Sequence, residues 1–209
     1  MSKETSKNVR VFLFWGSLWG LAEATLGSLF HLIPFAAGFF MFPIGFYFMK
    51  KSLDHSGKLA AIFYTASIAA GIKLTGLLLP LQTPGMVIKP AVAIMLEAAA
   101  VVIFFKLFNY EKSRVQLRQV FAFTAGWRVL FIAFHGVLLA LSPANDFLQA
   151  GLLTIANFLV LESMINTFII YFFLKLETGK EPVFTRFMKP GYVTSSFLLA
   201  AAVCAELIL

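Results

Sequence analysis

Long apolar runs separated by short polar segments form the main pattern along the chain. A membrane-spanning helix needs roughly 20 apolar residues, and seven runs approach or exceed that length. They lie at 11–32, 34–49, 59–81, 90–106, 119–142, 147–174 and 191–209. The second run is short and contains Pro34 and Pro43, while the seventh contains Ser195, Ser196 and Glu206. The pattern therefore predicts an all-α transmembrane bundle of six or seven helices that forms a single integral membrane domain.

The composition excludes a soluble globular domain. Of the 209 residues, 60% are hydrophobic and 13% are charged, whereas about 25% of the residues in a soluble domain are charged. A water-soluble fold cannot cover that much apolar surface. The first run, 11–32, is longer than the roughly 7–15 residues of a signal-peptide core, so we expect it to be retained as a helix. The single cysteine, Cys204, rules out an internal disulfide framework.

The basic residues predict how the helices are oriented. Fourteen of the 17 Lys and Arg residues lie before the first run, at the end of run four (Lys106), or between runs two and three, four and five, or six and seven. Because cytoplasmic loops are enriched in Lys and Arg, this places the N-terminus in the cytoplasm. The net charge of +7 therefore reflects membrane topology and not nucleic-acid binding. The external segment 82–89, which contains Pro84 and Gly85, is expected to form a turn or a cap over the outer face.

Ionisable side chains within the predicted spans mark the candidate substrate site. An unpaired charge near the centre of a membrane helix costs about 2.5–3.5 kcal/mol, so such groups face one another or a wet cavity. At about 1.5 Å per residue, they fall in one band slightly outside the midplane. The candidates are Glu23, Lys73, Glu97, Arg128, His135 and Glu162, with Asn166 one turn beyond Glu162 on the same helix face.

Two interpretations of these charges stay open at the level of sequence. The first is a polar binding site entered from outside. The second is a set of buried ion pairs that only fix helix register, such as Arg128 with Glu162 and Lys73 with Glu97 or Glu23.

Small residues form a ridge on the first predicted helix. Gly16, Gly20 and Ala24 recur every fourth position, and Gly16 to Gly20 matches the GxxxG pattern. Small residues at this spacing allow another helix to approach closely. The ridge predicts either a docking surface for a partner subunit or packing within the chain.

Several kinds of chemistry have no motif in the sequence. The chain lacks HExxH, GxSxG and Walker motifs and has no pair of His residues one helical turn apart. These absences argue against an ATPase or a zinc protease, and we expect neither a bound metal nor a cofactor. An intramembrane enzyme that uses Glu, Lys and His as acid and base is not excluded.

Two short segments carry a resemblance to a known family. These are Lys89 to Ala98, with the sequence KPAVAIMLEA, and Pro34 to Gly38, which leads to Pro43-Ile44-Gly45. Together with the size, basic charge and small-residue ridge, they resemble the substrate-binding S component of an energy-coupling factor (ECF) transporter. These S components are generally bundles of six helices, so the seventh run is a departure from the family.

The resemblance implies a set of functional roles. In that family, the ligand lies in the outer half of the bundle under external loops, which would implicate Glu23, Lys73, Glu97 and His135, with segment 82–89 as a lid. The ridge of Gly16, Gly20 and Ala24 would dock to a coupling subunit, whose associated ATPases drive release of the ligand into the cell.

The leading hypothesis is therefore uptake of a small vitamin-like or cofactor-precursor molecule across the cytoplasmic (inner) membrane. The first alternative is an intramembrane enzyme acting on a lipid or isoprenoid, with Glu23 or Glu97 as base and Lys73 or Arg128 holding a phosphate. The second is an ion-coupled carrier, although the paired repeats typical of such carriers are not evident. The sequence does not identify the ligand.

Overall fold

In the computed structural model, all regular secondary structure within the described part of the chain is helical. The described residues are 3–30, 36–80, 82–108, 115–141, 151–176 and 190–209. The helices are α1 (Lys3–Phe30), α2 (Ala36–Ser56), α3 (Ala60–Leu74), α4 (Pro84–Leu107), α5 (Leu117–Leu141), α6 (Leu152–Leu176) and α7 (Tyr192–Ile208). A 3₁₀ turn, Thr75–Leu78, extends α3. The prediction of an all-α bundle is confirmed.

Four of the helices are long and apolar enough to cross a membrane: Ala60–Leu78, Pro84–Leu107, Leu117–Val137 and Leu152–Leu176. Helix α7 is apolar but shorter. Helices α1 and α2 are long enough but less apolar overall, because they carry much of the polar side-chain content of the bundle. The chain is thus a multi-pass membrane protein. Its orientation relative to the cytoplasm stays a prediction.

Six helices form a ring, and α2 also packs across it against α3 and α4. Around the ring, α1 packs against α3, α3 against α4, α4 against α5, α5 against α6, α6 against α2, and α2 against α1. Helix α7 lies outside this ring in the groove between α1 and α3, and it also contacts the 3₁₀ turn. The seventh apolar run is therefore a helix packed along the bundle and not a separate appendage.

Contacts at one end of the bundle show that α1 and α7 run in the same direction. Near the start of both helices, the Tyr192 hydroxyl lies 2.5 Å from the Ser6 hydroxyl, and the Arg10 guanidinium lies 5.0 Å from the Tyr192 ring centroid. The α2–α3 connection reaches the same end, where Lys58 pairs with Glu4 at 2.8 Å. The Lys58 ammonium lowers the pKa of the Glu4 carboxyl below its usual value through this hydrogen bond and by charge attraction. This shared end agrees with the grouping of basic residues in the sequence.

Helix α4 begins earlier than the sequence pattern suggested. Pro84 occupies the first turn of α4, where its fixed φ suits a helix and its missing N–H leaves no bond unmade. Most of the segment 82–89 is therefore helical and not a turn, while its role as a cap or lid stays a prediction. At the other end of the bundle, α2 continues to Ser56, beyond the predicted boundary. It is followed by Gly57 with φ +68°, a left-handed conformation that favours glycine.

The small-residue ridge packs inside the chain. A Cβ added to Gly16 would lie 2.7 Å from the Ile68 Cβ, and one added to Gly20 would collide with the Ile72 side chain. Ala24 is only 1% exposed. The ridge therefore brings α1 into close contact with α3, which accounts for it as internal packing. These three positions present no open surface to a partner.

Some predicted features lie outside the described residues. These are the external turns around Ile33 and at Pro143–Asp146, the basic residues Lys112, Arg114, Lys180, Arg186 and Lys189, and Pro34.

We predict that Gly16→Ala lowers the thermal stability of the purified protein, because the new methyl group overpacks the α1–α3 contact, typically at about 1–3 kcal/mol. The matched control is Gly71→Ala on α3, where nothing lies within 4 Å of the added Cβ. The melting temperature in detergent checks both variants. Equal melting temperatures for the two would contradict the close α1–α3 contact.

Candidate functional site

Arg128 on α5 is the centre of a buried polar cluster that also includes groups on α2 and α6. One terminal nitrogen donates to the Thr124 carbonyl at 3.0 Å. The other lies 2.9 Å from Asn166 Oδ1 and 3.4 Å from Glu162 Oε2, both on α6. It also donates to the Gly38 carbonyl on α2 at 3.1 Å. Arg128 is 0% exposed, so these four acceptors replace water around its charge. The pairing of Arg128 with Glu162 inferred from the sequence is confirmed.

The role of Asn166 follows from a proline on the neighbouring helix. Pro43 lies inside α2 and has no N–H to donate to the Phe39 carbonyl four residues earlier. The Asn166 Nδ2 donates to this carbonyl at 2.8 Å and lies 3.1 Å from the Gly38 carbonyl. An unpaired carbonyl at membrane depth costs several kcal/mol. Asn166 thus satisfies backbone acceptors at the proline while its own oxygen accepts from Arg128.

Local irregularity in α6 shapes the same cluster. A π-helical turn, Asn157–Leu161, comes directly before Glu162, and such turns occur frequently at functional sites. Within it, the Phe158 ring centroid lies 5.2 Å from the Arg128 guanidinium. On α2, a side chain at Gly38 would collide with the Glu162 carboxylate. Glycine at 38 therefore allows α2 and α6 to approach closely enough for both to contact Arg128.

Lys73 on α3 does not pair with either acid that the sequence suggested. Its ammonium lies 2.7 Å from Glu206 Oε1 on α7. No salt bridge joins it to Glu23 or Glu97 among the described residues. The predicted partners of Lys73 were therefore wrong, because a glutamate on α7 fills this role. Glu206 is only 2% exposed, so the pair lies in the interior between α7 and the ring.

A cavity of about 200 Å³ lies within the ring, between the two charged clusters. Its wall includes Glu23 on α1, Lys73 on α3 and Glu97 on α4. Helix α2 contributes Ala37, Gly38, Met41 and Phe42, and α5 contributes Trp127. Five helices therefore meet at one space with both charged and apolar lining, which we call the inner cavity.

Two carboxylates of the inner cavity differ in their partners. Glu23 Oε1 accepts from the indole nitrogen of the buried Trp19 at 3.1 Å. Glu97 is only 6% exposed, yet within the described ranges it makes no hydrogen bond or ion pair. It lies within electrostatic range of Glu23 and Arg128. Glu97 is thus a buried acid that faces a cavity and has no direct partner.

A second cavity of about 410 Å³, the vestibule, adjoins the first. Both are lined by Ser28, Lys73 and Pro90. Gln82 and Lys89 also line the vestibule. The two spaces share a wall at Lys73, so this side chain and its Glu206 partner lie where the vestibule meets the inner cavity.

His135 belongs to neither cluster. It is 0% exposed, its Nδ1 lies 3.0 Å from the Phe131 carbonyl one turn earlier, and its ring packs 4.2 Å from the Phe131 ring. It lines neither the inner cavity nor the vestibule. Of the seven predicted site residues, the structure therefore brings together Glu23, Lys73 and Glu97 around the cavity, and Arg128, Glu162 and Asn166 beside it. His135 packs elsewhere on α5.

Sequence reasoning missed several residues of the site. Glu206 was visible as a lone acid in an apolar run, a signal that could have placed it in the site. The backbone acceptors of Gly38 and Phe39 could have been inferred from Pro43. Trp19 and Trp127 gave no comparable signal, because aromatic residues are common throughout the chain. In the part of the chain that the structure describes, no three His, Cys, Asp or Glu side chains assemble as a metal site.

We predict that two isosteric substitutions differ in their effect on the stability of the protein. Glu162→Gln leaves the buried Arg128 charge uncompensated, and breaking a buried pair is destabilising by about 3–5 kcal/mol. Glu97→Gln removes an unpaired buried charge and is expected to leave the stability unchanged or raise it. Thermal unfolding of the two purified variants in the same detergent tests this. A larger loss for Glu97→Gln than for Glu162→Gln would contradict the assignment.

We also predict energetic coupling between Pro43 and Asn166. Pro43→Ala restores an N–H that can satisfy the Phe39 carbonyl, so Asn166→Ala is expected to cost less in that background by about 0.5 kcal/mol or more. The control replaces Asn166→Ala by Thr65→Ala. The Thr65 hydroxyl donates to the Ser52 hydroxyl at 2.7 Å and does not contact Phe39, so its loss should cost the same in both backgrounds. A double-mutant cycle of unfolding free energies measures both. Additive effects for Asn166 would contradict the carbonyl assignment.

Comparison with known proteins assigns this chain to no family. The cavity, its glutamates and the Lys73–Glu206 pair are therefore the features from which a function can be inferred. No protein-family model, no curated protein and no solved structure matches the chain.

Proposed function

We propose that this chain is an integral membrane protein that binds a small vitamin-like or cofactor-precursor molecule for uptake, in the manner of an ECF S component. The observation that carries the proposal is the inner cavity, where Glu23, Lys73 and Glu97 from three helices line a space of about 200 Å³. Polar groups at a concave site surrounded by apolar side chains are typical of small-molecule binding sites.

Arg128 and Glu97 differ in whether the chain supplies them with direct partners, and this difference supports a binding role. The two terminal nitrogens of Arg128 contact Glu162, Asn166 and two backbone carbonyls, an arrangement that supports the cavity wall structurally. Glu97, by contrast, faces the cavity without a direct partner. A buried ionisable group within the membrane is a functional-site candidate, and a bound molecule would provide the partner that Glu97 lacks.

The vestibule supports a route of access. It adjoins the inner cavity at Ser28, Lys73 and Pro90, and it lies at the end of the bundle that the charge pattern places outside. A ligand would enter through the vestibule and pass the Lys73–Glu206 pair. The site belongs, on this proposal, to the cytoplasmic (inner) membrane, and a coupling subunit with ATPases drives release. Because α3 covers the small-residue ridge of α1, that subunit would dock on another face.

The enzyme alternative receives less support from the geometry. A lipid phosphate would need a cation whose charge is not already compensated, but Arg128 is paired with Glu162 and Lys73 with Glu206. Glu97 faces the inner cavity, a position in which a carboxylate can act as a base. We therefore place binding ahead of catalysis for this cavity.

The proposal predicts saturable binding without turnover. The purified full-length protein in lipid nanodiscs is expected to be stabilised by at least one member of a panel of water-soluble vitamins and their precursors. Glu23→Gln should weaken that binding, while the exposed Thr25→Val on the same helix, outside the cavity lining, should leave it unchanged. Mass spectrometry of the released molecule should show no chemical change.

Each contrary outcome identifies an alternative. A chemically altered product would support the intramembrane enzyme. Accumulation in liposomes that contain only this chain under a pH gradient would support the ion-coupled carrier. Binding with no copurifying coupling subunit would contradict the proposed partner and leave the proposed binding function intact.

A further inference from the structure

We infer that the ligand of the inner cavity is a small organic cation whose ammonium group lies between Glu23 and Glu97. This inference rests on the proposed function, since it assumes that the cavity is a binding site. It adds the chemical class of the ligand, which the resemblance to a transporter family leaves open.

The first support is the charge balance of the cavity wall. Two carboxylates, Glu23 and Glu97, and one ammonium, Lys73, line the space. The Lys73 ammonium is held 2.7 Å from Glu206, so its charge is already compensated. The wall therefore has an excess of carboxyl groups over cations, and within a low-dielectric interior a positively charged ligand would stabilise their ionised form.

The neighbouring charges do not remove this excess. Arg128 lies within electrostatic range of Glu97, but its terminal nitrogens are directed to Glu162, Asn166 and backbone carbonyls. Lys73 lies within range of Glu23, and so does the carboxylate of Glu206. Lys89 lines the vestibule and not the inner cavity. Neither glutamate forms a salt bridge within the described residues.

The second support is the state of Glu97 itself. A carboxyl group that is 94% buried and unpartnered costs free energy in the empty protein. An ammonium group offers up to three N–H donors, which suits simultaneous bonds to both glutamates. Hydrogen bonds between two ionised groups are among the strongest in proteins. A cationic ligand would therefore supply the direct partner that the described part of the chain does not give to Glu97.

Other ligand classes fit less well. An anion would be repelled by either glutamate in its ionised form. A neutral molecule would supply no positive charge to stabilise that form. A metal ion needs more ligating side chains than the described residues assemble at this position.

The remaining wall sets limits on the body of the ligand. Much of it is apolar, with Met41, Phe42, Ile94 and Trp127 facing the space. Aromatic faces also attract cations. The volume of about 200 Å³ is below the roughly 300–1,000 Å³ typical of sites for drug-sized molecules. The inner cavity therefore suits a compact cationic head with an apolar neighbouring group, and a longer ligand would extend into the vestibule.

Matched probes of one size can test the charge of the ligand directly. Benzylamine, benzyl alcohol and benzoate share a ring and differ in the charge of one substituent. A second set, butylamine, butanol and butyrate, removes the ring. Each probe is titrated at pH 7 against the full-length protein in nanodiscs, with thermal shift and calorimetry as readouts. Because neutral probes partition into lipid, every titration is repeated on Glu97→Gln, and only the difference between the two proteins counts as cavity binding.

We expect benzylamine or butylamine to bind the wild-type protein saturably. Glu97→Gln should weaken this binding by about tenfold or more, as expected for loss of a hydrogen bond between charged groups. Glu23→Gln should have a similar effect. Thr25→Val is the matched control and should not change the affinity.

The outcomes separate this inference from the function on which it rests. Binding of only the neutral or anionic probes, lost in Glu97→Gln, would overturn the cationic ligand and keep the binding site. Amine binding that Glu97→Gln and Glu23→Gln leave unchanged would also overturn it. Absence of saturable binding by every amine overturns the inference, and absence of binding by the vitamin panel as well overturns the proposed function.

Discussion

A positive charge buried in an apolar bundle has to be surrounded by acceptors, and Arg128 imposes this requirement on three helices. Its acceptors come from α2, α5 and α6, so a rotation of any of these helices would leave the guanidinium unsolvated. The same constraint explains glycine at 38, where a larger side chain would displace the Glu162 carboxylate. Two helices of the inner cavity wall, α2 and α5, are thus held against α6 by a single side chain.

The inner cavity follows from this arrangement. Arg128 and Lys73 are each held by an acid, and two further acids, Glu23 and Glu97, remain on the wall between them. A bundle that needed only structural ion pairs would not retain a buried, unpartnered carboxylate, because its desolvation is unfavourable. The distinction between support and site is therefore physical. Groups paired with an opposite charge within the chain hold the framework, and the acids without such a pair face the space where a ligand fits.

The sequence correctly predicted the helices and one ion pair, and it failed for contacts that depend on which helices are neighbours. Hydropathy located the helices, and the cost of an unpaired charge correctly joined Arg128 to Glu162. The partner of Lys73 could not be found in this way, because hydropathy does not fix which helices are neighbours, and α7 lies against α3. The early start of α4 was available from Pro84, since proline is favoured in the first helical turn. Pro43 likewise implied that the Phe39 carbonyl needs a donor from elsewhere. Only the packing of α2 against α6 brings the Asn166 side chain to that carbonyl.

The position of α7 has a consequence for how the protein is made. Helices α1 to α6 precede α7 in the chain and complete the ring, yet Lys73 on α3 receives its carboxylate from Glu206 on α7. During synthesis, the ring is inserted while this lysine still lacks its partner. The ammonium then depends on water or lipid headgroups at the vestibule until α7 arrives. Insertion of α7 therefore completes the charge balance of the bundle as well as its packing.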